Sequence, residues 1–347
     1  MREGNKKTCW GILGTGNIAD KFVRSCSQTI HPTEIVSAAS RTPDKASHFA
    51  KKWGIPEAYS SYEDLLENTE IDIVYISNTH NFHLETAILA LSRGVSVLIE
   101  KPMGVNASDI ECLIDLATKN NCFMMEAMWT RFLPTVQKAY EWVRTGRIGP
   151  LRTIEADFCV TFPFDPENRL YNMNLAGGAL LDLGIYPLAL SSGCMEGALP
   201  DVIQSMPQFS ATGSDQYANY QLLYPGGVVA ELSSGCSFSK VNSATFYGQT
   251  GRIELDPVFI GCETVRLYDY GKKEQCVETF QIEPIGEFGF QWQIDACITQ
   301  LRKGESEHPL MPWRESLNLA KTMDRLRRDW GMIYPFEESI GKRKDWK

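Results

Sequence analysis

The sequence has no long apolar run: no window approaches 18 uninterrupted apolar residues, and on that criterion a transmembrane helix is excluded. Its 10 cysteines are scattered from Cys9 to Cys297 without a single CxxC pair, so a disulfide framework is not expected and reduced thiols in a cytoplasm fit best. The chain opens on polar MREGNKKT, which lacks the basic segment and apolar core of a secretory signal. Positive charge is in deficit. With 34 Lys and Arg against 43 Asp and Glu, the formal charge is -9, which argues against a nucleic acid or an anionic membrane as the main partner. A small molecule is the expected one. No repeat, low-complexity tract or long linker interrupts the chain. What is present is ordinary globular material, 347 residues with 43% hydrophobic and 22% charged, long enough for two domains with separate cores.

The first third alternates. TCWGIL (8–13), EIVSAAS (34–40), DIVYIS (72–77) and SVLIE (96–100) are short apolar runs, and helical patterns follow each of the first three at about 17–26, 44–53 and 84–94. Such alternation means βαβ units and therefore a parallel sheet covered on both faces. Between the first strand and first helix stands Gly14-Thr15-Gly16-Asn17-Ile18-Ala19, a G-x-G-x-x-A pattern. Gly14 permits the tight turn, Gly16 lets a pyrophosphate approach the backbone, and the small Ala19 lets helix and strand pack closely. The pattern alone is common; the strand before it and the helix after it make it a dinucleotide site.

The type of dinucleotide is read at the end of the second strand, where an acidic residue would hold the ribose 2′-hydroxyl of NAD. Here the tip is Ala39-Ser40-Arg41. An arginine meets a 2′-phosphate with paired charge-assisted hydrogen bonds and lays its plane on the adenine, so NADP is favoured. Asp44, slightly downstream, is within reach of a ribose and keeps NAD open.

The run SVLIE ends in Glu100-Lys101-Pro102. A lysine at the tip of a buried strand either emerges into solvent or is held inside for use, because a buried ammonium is costly unless paired. With this feature in place the chain resembles the glucose-fructose oxidoreductase / inositol dehydrogenase family, called Gfo/Idh/MocA, and within it the dihydrodiol dehydrogenase and NADP-linked xylose dehydrogenase branch. The resemblance rests on GTGNIA, ASR at 39–41, EKP at 100–102, MEAMWTRFLP at 125–134, GGALLDLGIYP at 177–187 and RKGESEHPLMPWRES at 302–316, and so spans nearly the whole chain.

The resemblance implies an α/β fold with an N-terminal Rossmann domain, residues 1–128, and a C-terminal α/β domain, residues 129–347, built on a large, open, mostly antiparallel sheet. The residues support this independently. After Leu151 the period-2 segments RTIEADFCVTF, YANYQLLY, GVVAELSSG, SATFYGQ, RIELD and TVRLYDY crowd together, separated by turns such as Pro225-Gly226-Gly227 and Gly248-Gln249-Thr250-Gly251. Helical patterns return at about 289–303 and 313–330. The basic ending GKRKDWK reads as a solvated tail.

Hydride transfer from a carbinol carbon to nicotinamide needs a group to take the hydroxyl proton and a cation to ease its loss. In LLDLGIYP, Asp182 and Tyr186 lie four apart, and the flanking leucines and Ile185 predict a helix that puts both on one face. A tyrosine titrates near 10, too high for a base at neutral pH, but a nearby lysine ammonium lowers it by favouring phenolate. Lys101 and Tyr186 thus explain each other. Many family members end this motif in histidine; the tyrosine variant here is typical of the dihydrodiol dehydrogenase and glucose-fructose oxidoreductase branches. By resemblance, Tyr186 transfers the proton, Lys101 tunes it, and Asp182 orients substrate or nicotinamide ribose.

Asn78-Thr79-His80 follow the strand DIVYIS at the edge where an open sheet binds ligands. His80 and His83 form HxxH, but with only five histidines in the chain and no carboxylate or thiol at ligand spacing nearby, no metal is expected. His80 is placed by the nicotinamide and substrate, and His83 in the packing of the following helix. By resemblance Trp129 and Arg131 approach the nicotinamide or substrate pocket, with Phe158 and Arg152 as weaker substrate candidates. Their flat walls suit a sugar ring or an aromatic-derived diol.

The expected activity is an NADP-dependent oxidation of a cyclic polyol, either an aldose at its anomeric carbon or a trans-dihydrodiol. Two alternatives known in the family are a dinucleotide-binding regulator without turnover and a glycosidase that holds NAD tightly and cleaves by transient oxidation. Retention of both Lys101 and Tyr186 counts against the first, and net NADPH formation separates the second. The loop 162–176 is expected to set substrate stereochemistry. One face of such an antiparallel sheet needs a cover, so a homodimer or homotetramer is expected.

Overall fold

The structure, a computed structural model, describes residues 6–271, 273–284 and 289–337; the first five residues and the GKRKDWK ending lie outside them. The chain forms two compact units, Met1–Trp129 with Gly286–Leu317, and Thr130–Ile285 with Asn318–Lys347.

The first unit contains β1 (Thr8–Leu13), α1 (Asn17–Cys26), β2 (Thr33–Ala39), α2 (Pro43–Trp53), β3 (Glu57–Tyr59), α3 (Tyr62–Leu66), β4 (Ile73–Ile76), α4 (His83–Leu91), β5 (Ser96–Ile99), α5 (Ala107–Asn120) and β6 (Met124–Glu126). All six strands are parallel, in the order β3-β2-β1-β4-β5-β6. This is the doubly wound Rossmann order, and the winding reverses between β1 and β4, where such sheets bind their ligands. Every residue of β4 and the apolar residues of β5 are fully buried, because helices cover both faces of the sheet. Phe22 of α1 stacks on Tyr75 of β4 with centroids 4.0 Å apart, and Trp10 of β1 meets the Phe22 ring edge-on at 5.1 Å. These aromatic contacts are how the first helix is fastened over the switch point.

The second unit contains α6 (Pro134–Arg144), β7 (Leu151–Cys159), α7 (Ile185–Cys194), β8 (Val202–Phe209), β9 (Asp215–Leu223), β10 (Val229–Gly235), β11 (Ala244–Gly248), β12 (Gly251–Leu255), β13 (Thr264–Asp269) and β14 (Gln275–Gln281). The eight strands run β14-β13-β12-β11-β7-β10-β9-β8, antiparallel throughout except for the parallel pair β7 and β10. Alternation sorts the faces. Ile154, Ala156, Phe158, Ala230, Leu232, Phe246, Ile253 and Leu255 are buried on one side, while Glu155, Gln221 and Glu231 face the other.

The two strands of this sheet that sequence patterning misses, β8 and β14, are its edges. β8 contains Pro207, which an edge tolerates, and both strands are largely exposed, so neither carries a clear alternating signal. The stretch Met173–Cys194 bears on the membrane expectation. It is 22 residues, long and apolar enough by length and composition to span a bilayer, although no part of it is an uninterrupted apolar run of that length. Of its most apolar window, 83% is buried inside the protein, so its composition is that of a core helix.

Two helices close the chain, α8 (Gln291–Lys303) and α9 (Trp313–Asp329). Their placement differs from a single cut at residue 128, since α8 and the start of α9 belong to the first unit. The Asp295 carboxylate accepts hydrogen bonds from the backbone N–H of Ile30 at 3.1 Å and of His31 at 3.0 Å, 265 and 264 residues away. The Met124 N–H donates to the Ser306 carbonyl at 3.0 Å, and the Trp313 indole N–H donates to the Met124 carbonyl at 2.8 Å. Such pairings leave no trace in local periodicity.

Candidate active site

In the first unit, three loops meet at the carboxyl edge of the parallel sheet. The Gly14 N–H donates to the Ala39 carbonyl at 3.0 Å, and the Ser77 hydroxyl donates to the Gly14 carbonyl at 2.7 Å, so the exits of β1, β2 and β4 are tied together. Gly14 has φ +107°, and a Cβ on it would lie 2.8 Å from the Asn78 backbone nitrogen. Only glycine fits there. Gly16 is different. Its φ of -85° suits any residue, and a Cβ on it would meet nothing within 4 Å. Neither strain nor packing accounts for that glycine; it keeps clear the space in front of the N-terminus of α1, which has no side-chain cap. Asn17 and Ile18 form the first turn of that helix.

Two buried oxygens border this space without a hydrogen-bond partner, Thr15 Oγ1 and Asn78 Oδ1. Clear space over a helix N-terminus and orphaned polar atoms beside it fit the pyrophosphate and ribose of a dinucleotide. At the exit of β2, Ser40 is buried and its hydroxyl accepts from the Thr42 N–H at 3.3 Å. Arg41 is exposed, with its guanidinium carbon 3.6 Å from the centroid of the Phe82 ring. Thr79 donates its hydroxyl to Asn81 at 2.8 Å, and His80 opens the short 3₁₀ turn His80–Phe82.

The Glu100-Lys101-Pro102 turn that follows β5 is held by carboxylates. The backbone N–H groups of Lys101, Met103 and Val105 donate to Glu100 at 3.2 Å, Glu126 at 2.8 Å and Asp109 at 2.9 Å. Tyr75 donates its hydroxyl to the other oxygen of Glu100. All three acids are buried, and Lys101 itself is only 8% exposed, so solvent is not where this lysine goes. A buried ammonium is costly unless it is paired or used, which makes this lysine a candidate for a functional role. His83, fully buried, clamps the same turn from below: Nδ1 is 2.8 Å from the Pro102 carbonyl and Nε2 is 3.1 Å from the Asn78 carbonyl. Burial lowers its pKa to about 4, so the ring is neutral near pH 7 and one nitrogen at most donates. It therefore donates to only one of these two carbonyls and lies packed between the turn after β4 and the turn after β5.

In the second unit, Asp182 and Tyr186 lie where the helix pattern predicts, but the turn that carries Asp182 is π-helical. Leu180–Gly184 is a π turn that runs into α7 at Ile185. Such turns are frequent at functional sites because the widened ring redirects side chains. Asp182 is 6% exposed and ion-paired with Arg169, whose Nη2 lies 2.9 Å from Oδ2. Tyr186 is 7% exposed, and its ring meets Phe158 edge-to-face at 5.3 Å; Phe158 in turn meets Phe259 at 6.3 Å. A Cβ on Gly184 would lie 2.8 Å from Ser234 Oγ and 2.9 Å from Tyr220 Oη, so this glycine lets the turn seat against β9 and β10.

The remaining sequence candidates divide between the two units. Trp129 is buried in the first unit with its ring 5.3 Å from Phe290. Arg131, in the second, is directed at the far end of α7, where a Cβ on Gly193 would lie 2.3 Å from its Nη1; Gly193 stands seven residues beyond Tyr186, about 10 Å along a helix. Arg152 is exposed and donates to Gln249 at 3.2 Å. It stands six residues from Phe158 on the same strand, about 20 Å, so the two do not share one site. Sequence reasoning missed Arg169, Glu126 and Asp109 as site residues. Arg169 sits in the loop expected to shape substrate choice, and the acids sit in ordinary helix and strand patterns, where burial alone distinguishes them.

Comparison with known proteins agrees with this architecture. A family model described as oxidoreductase family, NAD-binding Rossmann fold, matches residues 9–128, and the GFO/IDH/MocA C-terminal domain matches residues 136–254. A trans-1,2-dihydrobenzene-1,2-diol dehydrogenase from Mus musculus is 32% identical over 337 residues, covering 94% of this chain and 98% of its own. Among solved structures, an aldose-aldose oxidoreductase from Caulobacter crescentus, complexed with glycerol, superposes with a TM-score of 0.83 at 26% identity, over 93% of this chain and 97% of its own. A 3-ketoreductase from Actinomadura kijaniata, in complex with TDP-benzene and NADP, superposes with a TM-score of 0.76 at 25% identity, over 92% and 96%. With both domains matched and a third of the residues shared with full-length relatives, this chain belongs to the Gfo/Idh/MocA family of NAD(P)-dependent oxidoreductases.

Proposed function

We propose that the protein is an NADP-dependent dehydrogenase that oxidises a secondary or anomeric hydroxyl of a cyclic polyol, a trans-dihydrodiol or an aldose, with Tyr186 as the acid/base and Lys101 as its charged partner. The observation that carries this reading is Lys101 itself: a lysine almost wholly buried, on a turn whose backbone is clamped by Glu100, Glu126 and Asp109 at the ligand-binding edge of a Rossmann sheet. A structural lysine needs no such clamp. NADP, when bound, accepts the hydride from the carbinol carbon.

The chain's own residues do the rest. Gly14 to Ile18 and the N-terminus of α1 hold the pyrophosphate, and Asn78, Thr79 and His80 line the ribose and nicotinamide. Tyr186 takes the hydroxyl proton, helped by the Lys101 ammonium, which favours phenolate. Asp182, charge-balanced by Arg169, orients the substrate hydroxyls. Phe158, edge-on to Tyr186, offers a flat wall to a ring substrate. The mouse relative acts on a dihydrodiol and the Caulobacter structure is of an aldose oxidoreductase, which supports a small cyclic polyol.

Arg41 supports NADP over NAD. It stands at the exit of β2 with its guanidinium on the Phe82 ring, and an arginine there would meet a 2′-phosphate. A panel of aldoses, inositols and dihydrodiols, read as kcat/KM with each cofactor, tests the whole reading. NADPH should accumulate with at least one ring polyol, and Arg41→Ala should lower kcat/KM for NADP by roughly 10- to 100-fold, the worth of one or two charge-assisted hydrogen bonds, while NAD is little affected. No turnover with any polyol, or equal losses with both cofactors, would contradict it.

The open face of the second sheet supports an oligomer. Val202 and Leu223, paired across β8 and β9, and Met206 on the same face are 42%, 37% and 70% exposed. A second copy covering this face makes a homodimer or homotetramer. Light scattering should return a mass of two or four chains, and Met206→Asp should shift it toward the monomer.

A further inference from the structure

One buried acid lies outside the roles assigned so far. Asp215, the first residue of β9, is 0% exposed, and its Oδ2 accepts the Leu180 N–H at 2.7 Å. Its other oxygen, Oδ1, is buried without a hydrogen-bond partner. Leu180 opens the π turn that carries Asp182 and leads to Tyr186, so Asp215 closes the N-terminal end of that helix from a strand 35 residues later.

The chain before the turn is shaped to admit it. Gly178 has φ +130°, and a Cβ there would lie 2.0 Å from Asp215 Oδ1. A Cβ on neighbouring Gly177 would lie 2.8 Å from the Asn172 carbonyl and 2.9 Å from the Arg169 carbonyl. The Gly177 carbonyl accepts the hydroxyl of Tyr334 at 2.8 Å, and Tyr334 is fully buried. Behind Tyr334, Arg327 places its guanidinium 4.9 Å from the ring centroid and donates to Glu337 at 2.8 and 3.0 Å; Glu337 also accepts the Tyr334 N–H at 2.9 Å. The ionisable groups electrostatically coupled to Asp215 are Arg327 on α9, Tyr334 in the C-terminal segment, Tyr220 on β9 and Cys236 after β10.

We propose that Asp215, backed by Tyr334, is the positioning residue that fixes the start of the Asp182–Tyr186 helix, and with it the direction of both catalytic side chains. A core that needed only packing would place an apolar residue there. Burying a carboxylate instead is unfavourable, and burial pushes its pKa up to about 7 even though the Leu180 N–H and Arg327 draw it down. What the acid supplies, and an apolar side chain does not, is a directed acceptor for the first N–H of a turn whose π geometry must be held in register.

The inference rests on the assignment of Tyr186 above, and the test keeps the two apart. Asp215→Ala, Asp215→Asn, Tyr334→Phe and Tyr186→Phe are compared for kcat, KM and NADP dissociation constant, with folding checked by circular dichroism. Asp215→Ala is expected to lower kcat by roughly 10²-fold, as for misplacement of a reacting group by about 1 Å, with NADP affinity within about three-fold of the parent. Asn keeps one acceptor oxygen for the Leu180 N–H and should restore most of that loss, which generic destabilisation would not do. Tyr334→Phe, which keeps the ring, should lower kcat several-fold at unchanged KM. If Asp215→Ala folds and turns over like the parent, or if Asn is no better than Ala, the positioning role is refuted. If Asp215→Ala does not fold, an unchanged kcat in Tyr334→Phe refutes it. Loss of turnover in Tyr186→Phe alongside parental rates in the other variants overturns only this inference, whereas full turnover in Tyr186→Phe overturns the acid/base assignment beneath it.

Discussion

Tyr186→Phe is expected to lower kcat by roughly 10²-fold or more, and Lys101→Met by a similar amount, with NADP affinity nearly unchanged in the first. The reason is the proton. A phenol with its ordinary pKa near 10 is a poor base at pH 7, and its usefulness depends on a positive charge that favours phenolate. Phenylalanine removes the oxygen that takes the proton while keeping the ring against Phe158. Methionine keeps the length and packing of Lys101 while removing its charge, which avoids opening a cavity in a position only 8% exposed.

The double variant is the sharper measurement. Two residues that act on one proton are not additive, so Lys101→Met with Tyr186→Phe should be scarcely slower than the worse single variant. If the losses instead multiply, the two act independently, and Lys101 serves the cofactor rather than Tyr186. Parental turnover in either single variant would remove that residue from the mechanism.

Gly16→Val should reduce NADP affinity by roughly 10²-fold or more while leaving the fold intact, and Gly14→Ala should damage the fold itself. The two glycines stand two residues apart in one loop, yet their reasons differ. At Gly16 the backbone is ordinary and the space beyond is clear, so the protein pays at most about 1 kcal/mol for a poorer helix N-cap. The ligand loses far more. A side chain in front of α1 displaces the pyrophosphate from backbone N–H groups, and two charge-assisted hydrogen bonds at about 1.5 to 3 kcal/mol each amount to more than two decades of affinity. At Gly14 the positive φ and the backbone of Asn78 at 2.8 Å leave no room for any side chain, whether or not cofactor is present. Thermal melts with and without NADP separate the cases. Gly16→Val should melt like the parent without NADP and gain little from adding it, whereas Gly14→Ala should melt lower in both conditions. Tight NADP binding by Gly16→Val would mean that the pyrophosphate does not lie over this helix.

Much of this was legible in the linear chain. The alternation of short apolar runs with three-turn helices announced the parallel sheet, since periodicity is a local consequence of which faces are covered. Gly14, Gly16, Arg41, Lys101, Asp182 and Tyr186 stood out because each breaks its local pattern: glycine where a helix begins, a cation where an acid is usual, a lysine at the end of an apolar strand, two polar groups among leucines. What stayed hidden was set by partners far away in the chain. The edge strands β8 and β14 carry no strong alternation because most of their residues are exposed, and α8 returns to the first unit through Asp295 and contacts some 265 residues away.

The sequence by itself determined the class of fold, the family and the residue types that chemistry would need. Those follow from local spacing, and local spacing is what a linear chain displays. Tertiary structure alone decided how the reactive groups are held. It buried Lys101 on a loop met by three carboxylates, from the turn after β5, from β6 and from α5, paired Asp182 with Arg169, made the turn before Tyr186 π-helical, and set Asp215 at its start. An acid's role depends on whether it is buried and which N–H group reaches it, and neither is a property of its neighbours in sequence.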